Sequence, residues 1–149
     1  MIFLAYNFLN YKFLTEDNLN YRKFVLDAVQ KYFPNEDYLL PYSQYSRADL
    51  VKKLDCADSL LTGHFSEDLP HMVSRCNKLV FFTLENYYIG TGVFFEITTA
   101  KKANKPCYGY NLETSQFSPS YEFQKTEFVS DEMFTNIFYK KVKFCSDIS

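Results

Sequence analysis

The chain has few histidines, no close cysteine pairs and no long apolar run, and each absence excludes a class of site. There are two histidines, His64 and His71, and the four cysteines are far apart with no CxxC pair. A zinc or redox centre is therefore not expected, and the cysteines are predicted to be reduced, buried thiols. No run of about 18 uncharged apolar residues occurs, so no membrane-spanning segment is predicted.

The chain also has no large excess of positive or negative charge. A net charge of -2 and a pI near 5.7 provide no broad basic surface, so binding to polymeric nucleic acid is not expected. Binding of a single nucleotide is not excluded, because a pocket for it needs only one or two hydrogen-bond donors. The opening residues MIFLAYNFL lack a basic leader and a small-residue cleavage site. They are typical of a first core strand rather than a signal peptide, and we expect a cytoplasmic protein without a cofactor.

Apolar and aromatic residues are abundant and follow an alternating pattern. With 149 residues, 47% of them hydrophobic, the chain predicts one domain over 1–149 with a single core. Strands are predicted at 2–6, 38–40, 79–83, 107–110, 127–129 and 142–145. Helices are predicted from a cap at 17 or 18 to 34, and at 46–62, 67–75 (with Ser66 as N-cap), 93–104 and 131–139, with a loop at 111–123. The alternation predicts an α/β domain with a mainly parallel sheet flanked by helices.

Polar residues follow three of the predicted strands. In a parallel sheet, ligands bind outside the carboxyl ends of the strands, so these residues are the candidates for a site. They are Tyr6-Asn7, Glu85-Asn86 together with Gly90-Thr91-Gly92, and Tyr110-Asn111.

Glu96 is the most informative of the candidate residues. It lies between Phe95 and Ile97 in about the first turn of a helix entered through glycines. The helix dipole there favours the ionised carboxylate, while the apolar neighbours limit its hydration. Such a carboxylate can attack, or stabilise, a sugar carbon that becomes oxocarbenium-like as its base departs. The alternative is a glutamate that complements the helix dipole and has no chemistry.

The stretch GTGVFFEITTAKKANKP resembles a signature of the nucleoside 2-deoxyribosyltransferases and the related 2'-deoxynucleoside 5'-phosphate N-hydrolases. Gly92, Glu96, Ala100 and Lys105 fall at matching spacings. Asp68, in SEDL, resembles the acidic residue of that family that opens the preceding helix. The segments IFLAYNF and YRKFVLDAV are similar to the family's first strand, substrate loop and first helix, so the resemblance covers about residues 1–112.

The resemblance implies a flavodoxin-like, Rossmann-like domain that forms a homodimer or higher homo-oligomer and acts on a small-molecule nucleoside or nucleotide. It implies that Glu96 is the nucleophile of a covalent glycosyl intermediate and that Asp68 is its acidic partner, with protonation of the leaving base as a candidate role. The candidate substrate-binding residues are Tyr6, Asn7, Asn86, Gly90, Thr91 and Gly92.

Three departures from the family pattern concern substrate recognition. Gly90 stands where members often carry an acidic residue, and Thr98 stands where a glycine is common. The loop after the first strand reads YNFLNYKF and lacks the small donors that hold a 5'-phosphate in the hydrolases. A free nucleoside is therefore favoured over a monophosphate, unless Lys12, Ser46 or Arg47 supplies the contact.

Two other functions remain open at this point. One is cleavage of NAD or another ADP-ribosyl compound, because Toll/interleukin-1 receptor domains resemble this architecture and also use a glutamate. The other is binding of a nucleotide-like signal or of a protein, by a chain that resembles these enzymes but has no catalytic activity.

Overall fold

Strands and helices alternate along the chain, as the sequence predicts. The computed structural model describes residues 1–6, 15–83, 88–118, 127–128 and 133. Its strands are β1 (Ile2–Ala5), β2 (Tyr38–Leu39), β3 (Lys78–Thr83), β4 (Tyr88–Ile89), β5 (Cys107–Asn111), β6 (Gln116–Ser118) and β7 (Glu127–Phe128), and its helices are α1 (Thr15–Tyr32), α2 (Arg47–Leu54), α3 (Phe65–Ser74) and α4 (Thr91–Lys102). The helix predicted at 131–139, apart from Met133, and the strand predicted at 142–145 lie outside the described residues.

A five-stranded sheet in the order β2-β1-β3-β5-β6 forms the centre of the fold. The first four of these strands are parallel, with Phe3 opposite Leu79 and Phe81 opposite Gly109, and β6 is antiparallel to β5. This α/β arrangement, with helices flanking a mostly parallel sheet, is consistent with a flavodoxin-like fold and confirms the predicted fold class.

The two faces of the sheet are covered by different helices, because alternate residues of a strand point to opposite faces. One face packs against α1 through buried residues that include Ile2, Leu4, Tyr21, Val25 and Val29. The opposite face packs against α2, α3 and α4 through buried residues that include Phe3, Ala5, Leu50, Leu69 and Ile97. Burying each such side chain contributes about 1.5–3 kcal/mol.

The sheet order places a switch point between β1 and β3. The next helix after β1 is α1, on one face, whereas the next helix after β3 is α4, on the other. Helices that diverge in this way leave a crevice at the carboxyl ends of the two strands, which is where α/β proteins of this topology bind ligands.

The helix predicted over 46–62 is shorter than expected. Helix α2 ends at Leu54, and Asp55 adopts a left-handed conformation (φ 51°) with its N–H bonded to the carbonyl oxygens of Lys52 and Val51. A separate 3-10 turn follows at Asp58–Leu60. Gly63, predicted to end the helix, instead lies at φ 85° in the loop before α3, a conformation that favours glycine.

The start of α3 also differs from the prediction. The helix begins at Phe65 after His64, whose side chain makes no capping hydrogen bond, so the predicted Ser66 N-cap is wrong.

The segment predicted as a loop over 111–123 contains a strand. The Asn111 side chain accepts hydrogen bonds from the N–H groups of Glu113 and Thr114, and Ser115 adopts φ 57°. This tight turn returns the chain along β5 as β6.

The described cysteines are free thiols. They are Cys56, Cys76 and Cys107, and burial raises the pKa of the Cys76 thiol to about 12 and that of Cys107 to about 11. Cys145 lies outside the described residues. Within the described ranges no helix has the length and apolarity needed to cross a bilayer, and no group of His, Cys, Asp and Glu forms a candidate metal site.

Candidate active site

Glu96 is enclosed by the protein. It lies on α4 with only 4% of its surface exposed, between the buried Ile97 and the exposed Phe95. Helix α4 begins at Thr91, earlier than predicted, so Glu96 belongs to its second turn. The expected enclosure of this side chain is therefore confirmed, whereas its expected place in the first turn is wrong.

The Glu96 carboxyl group is protonated more readily than an ordinary glutamate. Its Oε2 atom is buried and has no hydrogen-bond partner in the described structure. Burial raises the pKa of this carboxyl well above its usual value and is the single cause of the shift. Burial thus acts against the ionised state that the sequence favours, and the favourable effect of a helix dipole falls off within the first turn.

Tyr6 lies near Glu96 at the end of β1. Its ring contacts those of Tyr21 and Phe82, at centroid distances of 5.5 and 6.3 Å. Burial raises the pKa of the Tyr6 phenol, the positive charge of Arg22 lowers it, and the carboxylate of Glu96 adds a smaller upward contribution. The structure therefore brings Tyr6 and Glu96 within electrostatic reach of each other, and their membership of one site stays a prediction.

Asp68 has a full set of hydrogen bonds. Its Oδ1 accepts from the Thr62 N–H (2.7 Å) and the Thr62 hydroxyl (3.0 Å). Its Oδ2 accepts from the Gly63 N–H (3.1 Å) and the Tyr42 hydroxyl (2.8 Å). These bonds fasten the loop before α3 to the helix itself.

The hydrogen bonds also decide the charge of Asp68. Burial acts to raise its pKa, but the bonds from Thr62, Tyr42 and Gly63 outweigh burial and leave the pKa below its usual value. A carboxylate held ionised in this way is a poor proton donor, so the structure disfavours the expected acid role. Nor does Asp68 contribute to the raised pKa of Glu96. The partnership of the two residues stays a prediction.

Neither Gly90 nor Gly92 has a backbone conformation that only glycine can adopt. Gly90 is buried and precedes α4 in an extended conformation (φ -81°), and Thr91 is the first residue of the helix. A Cβ atom added at Gly92 would meet no atom of the described residues within 4 Å. Internal packing thus gives no reason for a glycine at 92, and the space beside it is open. The candidates Asn7 and Asn86 lie outside the described residues.

Glu96 lines neither of two cavities that are formed by described residues. The smaller, of about 120 Å³, lies beside Asp68 and is lined by Ser46 and Arg47 among others. Ser46 caps α2 through its hydroxyl, and Arg47 binds the Asp58 carboxylate at 2.8 Å. Both side chains thus already have partners, a contact of Ser46 or Arg47 with phosphate stays a prediction, and Lys12 lies outside the described residues.

The larger cavity, of about 380 Å³, is a groove between α1 and β2 with Arg22 among its lining residues. Sequence analysis did not single out Arg22. The one local indication in the sequence is that Arg22 follows Tyr21, which belongs to the apolar face of the predicted helix. The residues that surround Arg22 in space depend on the fold and leave no local pattern.

Scans against family models, curated proteins and solved structures found no match to the chain, so the resemblance rests on the residues that carry it.

Proposed function

We propose that the chain cleaves the N-glycosidic bond of a nucleoside or nucleotide, with Glu96 as the nucleophile. The observation that carries the proposal is the buried Glu96 carboxyl, whose Oε2 atom has no partner among the described residues. It lies within electrostatic reach of Tyr6, which follows β1 at the carboxyl end of the sheet.

Burying a carboxyl group without a hydrogen-bond partner costs stability. The contrast with Asp68 is direct, because that equally buried carboxylate accepts hydrogen bonds from Thr62, Gly63 and Tyr42. Carboxyl groups whose pKa is strongly perturbed by burial are typical of functional sites, where stability is lost for chemistry. A role in binding or catalysis accounts for Glu96 better than a role in folding.

The reaction needs the ionised form of Glu96. One carboxylate oxygen bonds to the anomeric carbon, the carbon–nitrogen bond breaks, and the base leaves with its electron pair and takes a proton from water. Water or a second base then attacks the same carbon and releases the carboxylate. Positive charge on the sugar favours the ionised carboxylate, which offsets the effect of burial.

Activity is expected to rise with pH, because only the ionised fraction of Glu96 can attack. Deoxynucleosides, their 5'-monophosphates and NAD are incubated separately with the protein, and released base is measured by chromatography. We expect kcat/KM for base release to increase as the pH rises through the elevated pKa of Glu96. Release from NAD alone would move the assignment to ADP-ribosyl compounds, and no release from any compound would refute the proposal.

A homodimer and a cytoplasmic location remain expectations of the resemblance.

Replacing Gly92 by Ala tests whether substrate occupies the open space beside that residue. Alanine is preferred to glycine in helices, by about 0.5–1 kcal/mol in a helix interior and less in the first turn, where Gly92 lies, and no described atom obstructs the added methyl group. We expect a higher melting temperature together with at least about a tenfold loss of kcat/KM, the size of effect that a misplaced substrate produces. Lys102→Ala, at the exposed end of the same helix, is the control. Unchanged turnover in the stabilised variant would show that substrate does not approach Gly92.

A further inference from the structure

Phe95 is a large aromatic side chain that α4 presents to solvent. It is 47% exposed, whereas the next residue, Glu96, is 4% exposed. The exposed part of the ring adds nothing to stability, because apolar groups stabilise a fold only when they leave water. A single exposed apolar residue is common on protein surfaces, so the surroundings of Phe95 decide whether the ring has a role.

The Phe95 ring belongs to an aromatic row formed by Tyr42, Phe65 and Phe95. The centroids of Phe95 and Phe65 are 6.3 Å apart, and those of Phe65 and Tyr42 are 5.7 Å apart. The Tyr42 hydroxyl donates to Asp68 at 2.8 Å, and Phe65 packs partly buried against the core. Two of these rings are thus held in place, so a ligand that contacts the row meets an ordered surface.

Helical spacing places Phe95 and Glu96 on either side of Gly92. Residues three and four positions apart are neighbours on a helix surface, and at about 100° per residue they flank the first residue on opposite sides. Gly92 is exposed, and a Cβ atom there would meet no atom of the described residues within 4 Å. The surface of Gly92 is therefore bordered by the exposed ring and by the proposed nucleophile.

The bond that Glu96 is proposed to break joins the sugar to the base, so both groups lie close to the carboxyl group during the reaction. A nucleobase is flat and aromatic, and its face stacks favourably on a phenyl ring. The planes of Phe65 and Phe95 differ by 52°, so a base stacked on Phe95 meets Phe65 at an angle, which is also a favourable arrangement of aromatic rings. The base therefore fits the aromatic row, and the sugar fits the surface of Gly92.

We infer that Phe95 stacks on the base of the substrate and that the protein recognises the base by its flat face rather than by one pattern of hydrogen bonds. The inference rests on the proposed function. Every nucleobase has such a face, so several bases should be accepted. Phe95 binds the base and takes no part in breaking the bond.

Phe95→Ala should lower kcat/KM for base release from deoxynucleosides by about 5- to 150-fold, the effect of removing one stacked ring. The loss should be larger for purines than for pyrimidines, because two fused rings cover more of the phenyl face. Phe95→Tyr keeps the ring and should retain most of the activity. Tyr32→Ala, which removes a 38% exposed ring from α1 on the other face of the sheet, is the control and should have no effect. Equal losses in Phe95→Ala and Phe95→Tyr would overturn the inference.

Binding to the Glu96→Gln protein, measured by calorimetry with the four deoxynucleosides, separates this inference from the proposed reaction. If Phe95→Ala weakens binding in that protein, the base subsite stands even when the unmodified protein releases no base. If the unmodified protein releases base and Phe95→Ala does so equally well, the inference fails and the proposed function stands. If no deoxynucleoside is bound or cleaved, both fail.

The mass of the protein in solution tests the other occupant of an exposed ring, which is a second copy of the chain. Phe95→Ala should leave the mass measured by analytical ultracentrifugation unchanged. A lower mass for the variant would show that a second copy covers the ring, and the inference would fail.

Discussion

Glu96→Gln should make the protein more stable at pH 8 and at the same time abolish base release. Glutamine has the shape of glutamic acid but never ionises, so it removes the cost of a buried carboxyl that tends to lose its proton. Each unit by which the pKa is raised corresponds to about 1.4 kcal/mol. Each kcal/mol raises the melting temperature of a domain of this size by about 2–4 °C. The amide cannot attack, so turnover should fall about a thousandfold or more.

The gain in stability should depend on pH with a definite sign. Below the usual value of 4.5, the folded and unfolded chains both keep the proton, and the two proteins should have equal stability. As the pH rises above that value, the unfolded chain loses its proton while the folded protein retains it. The free energy of unfolding of the unmodified protein therefore falls relative to the variant until the folded pKa is reached.

Thermal unfolding between pH 4 and pH 9 measures this difference. Glu67→Gln is the matched control, because Glu67 is exposed in the first turn of α3. The control should show no stabilisation that grows with pH. A melting temperature for Glu96→Gln below that of the unmodified protein at pH 8 would mark the carboxyl as structural and remove the main support for the proposed site.

Asp68→Asn should destabilise the protein by about 2–4 kcal/mol, because hydrogen bonds to a buried charged acceptor are strong and an unsatisfied buried donor is costly. Two donors approach each oxygen of Asp68. An amide nitrogen in place of either oxygen would face two donors. Urea unfolding at pH 7 measures the loss. Asp58→Asn, which removes an exposed partner of Arg47, is the control and should cost less.

The advantage of aspartate over asparagine at position 68 should disappear in acid. Because the folded pKa of Asp68 lies below the unfolded value of 3.8, the carboxylate stabilises the protein above that pH. The contribution is lost as the pH falls through the lowered folded pKa. An energy difference between the two proteins that persisted at very low pH would show that Asp68 acts through shape rather than charge.

Turnover of Asp68→Asn at a temperature where it is fully folded separates the two roles considered for this residue. If Asp68 only holds the loop before α3, kcat should stay within about tenfold of the unmodified protein. A loss of about a thousandfold in a folded variant would restore the role of proton donor that the sequence resemblance implies.

The fold could be predicted because its strands and helices carry strong local patterns. The apolar run LVFFT forms β3, and the helical spacing of Tyr21, Val25 and Val29 forms the buried face of α1. Where the sequence signal was weak, the prediction was wrong. Residues 46–62 contain a left-handed Asp55 that ends α2, and β6 depends on a turn stabilised by the Asn111 side chain.

The burial of Glu96 could be predicted from the sequence, but the electrostatics of the candidate site could not. The apolar neighbours of Glu96 indicated its burial correctly. Its protonation depends on the balance between desolvation and the helix dipole, which requires the true start of α4. The charge of Asp68 depends in part on Tyr42, 26 residues earlier, and the hydrogen bond of Arg22 joins it to Gln44, 22 residues later. Such long-range contacts leave no local pattern.

The switch point between β1 and β3 has a practical consequence for identifying the ligand. A molecule bound in the crevice between α1 and α4 would join two helices on opposite faces of the sheet, from distant parts of the chain. Such a molecule cross-links the fold non-covalently, and at a concentration of 100 times its Kd it adds about 2.7 kcal/mol to the unfolding free energy. Melting curves recorded against a library of metabolites can therefore find the natural ligand without any assay for a reaction.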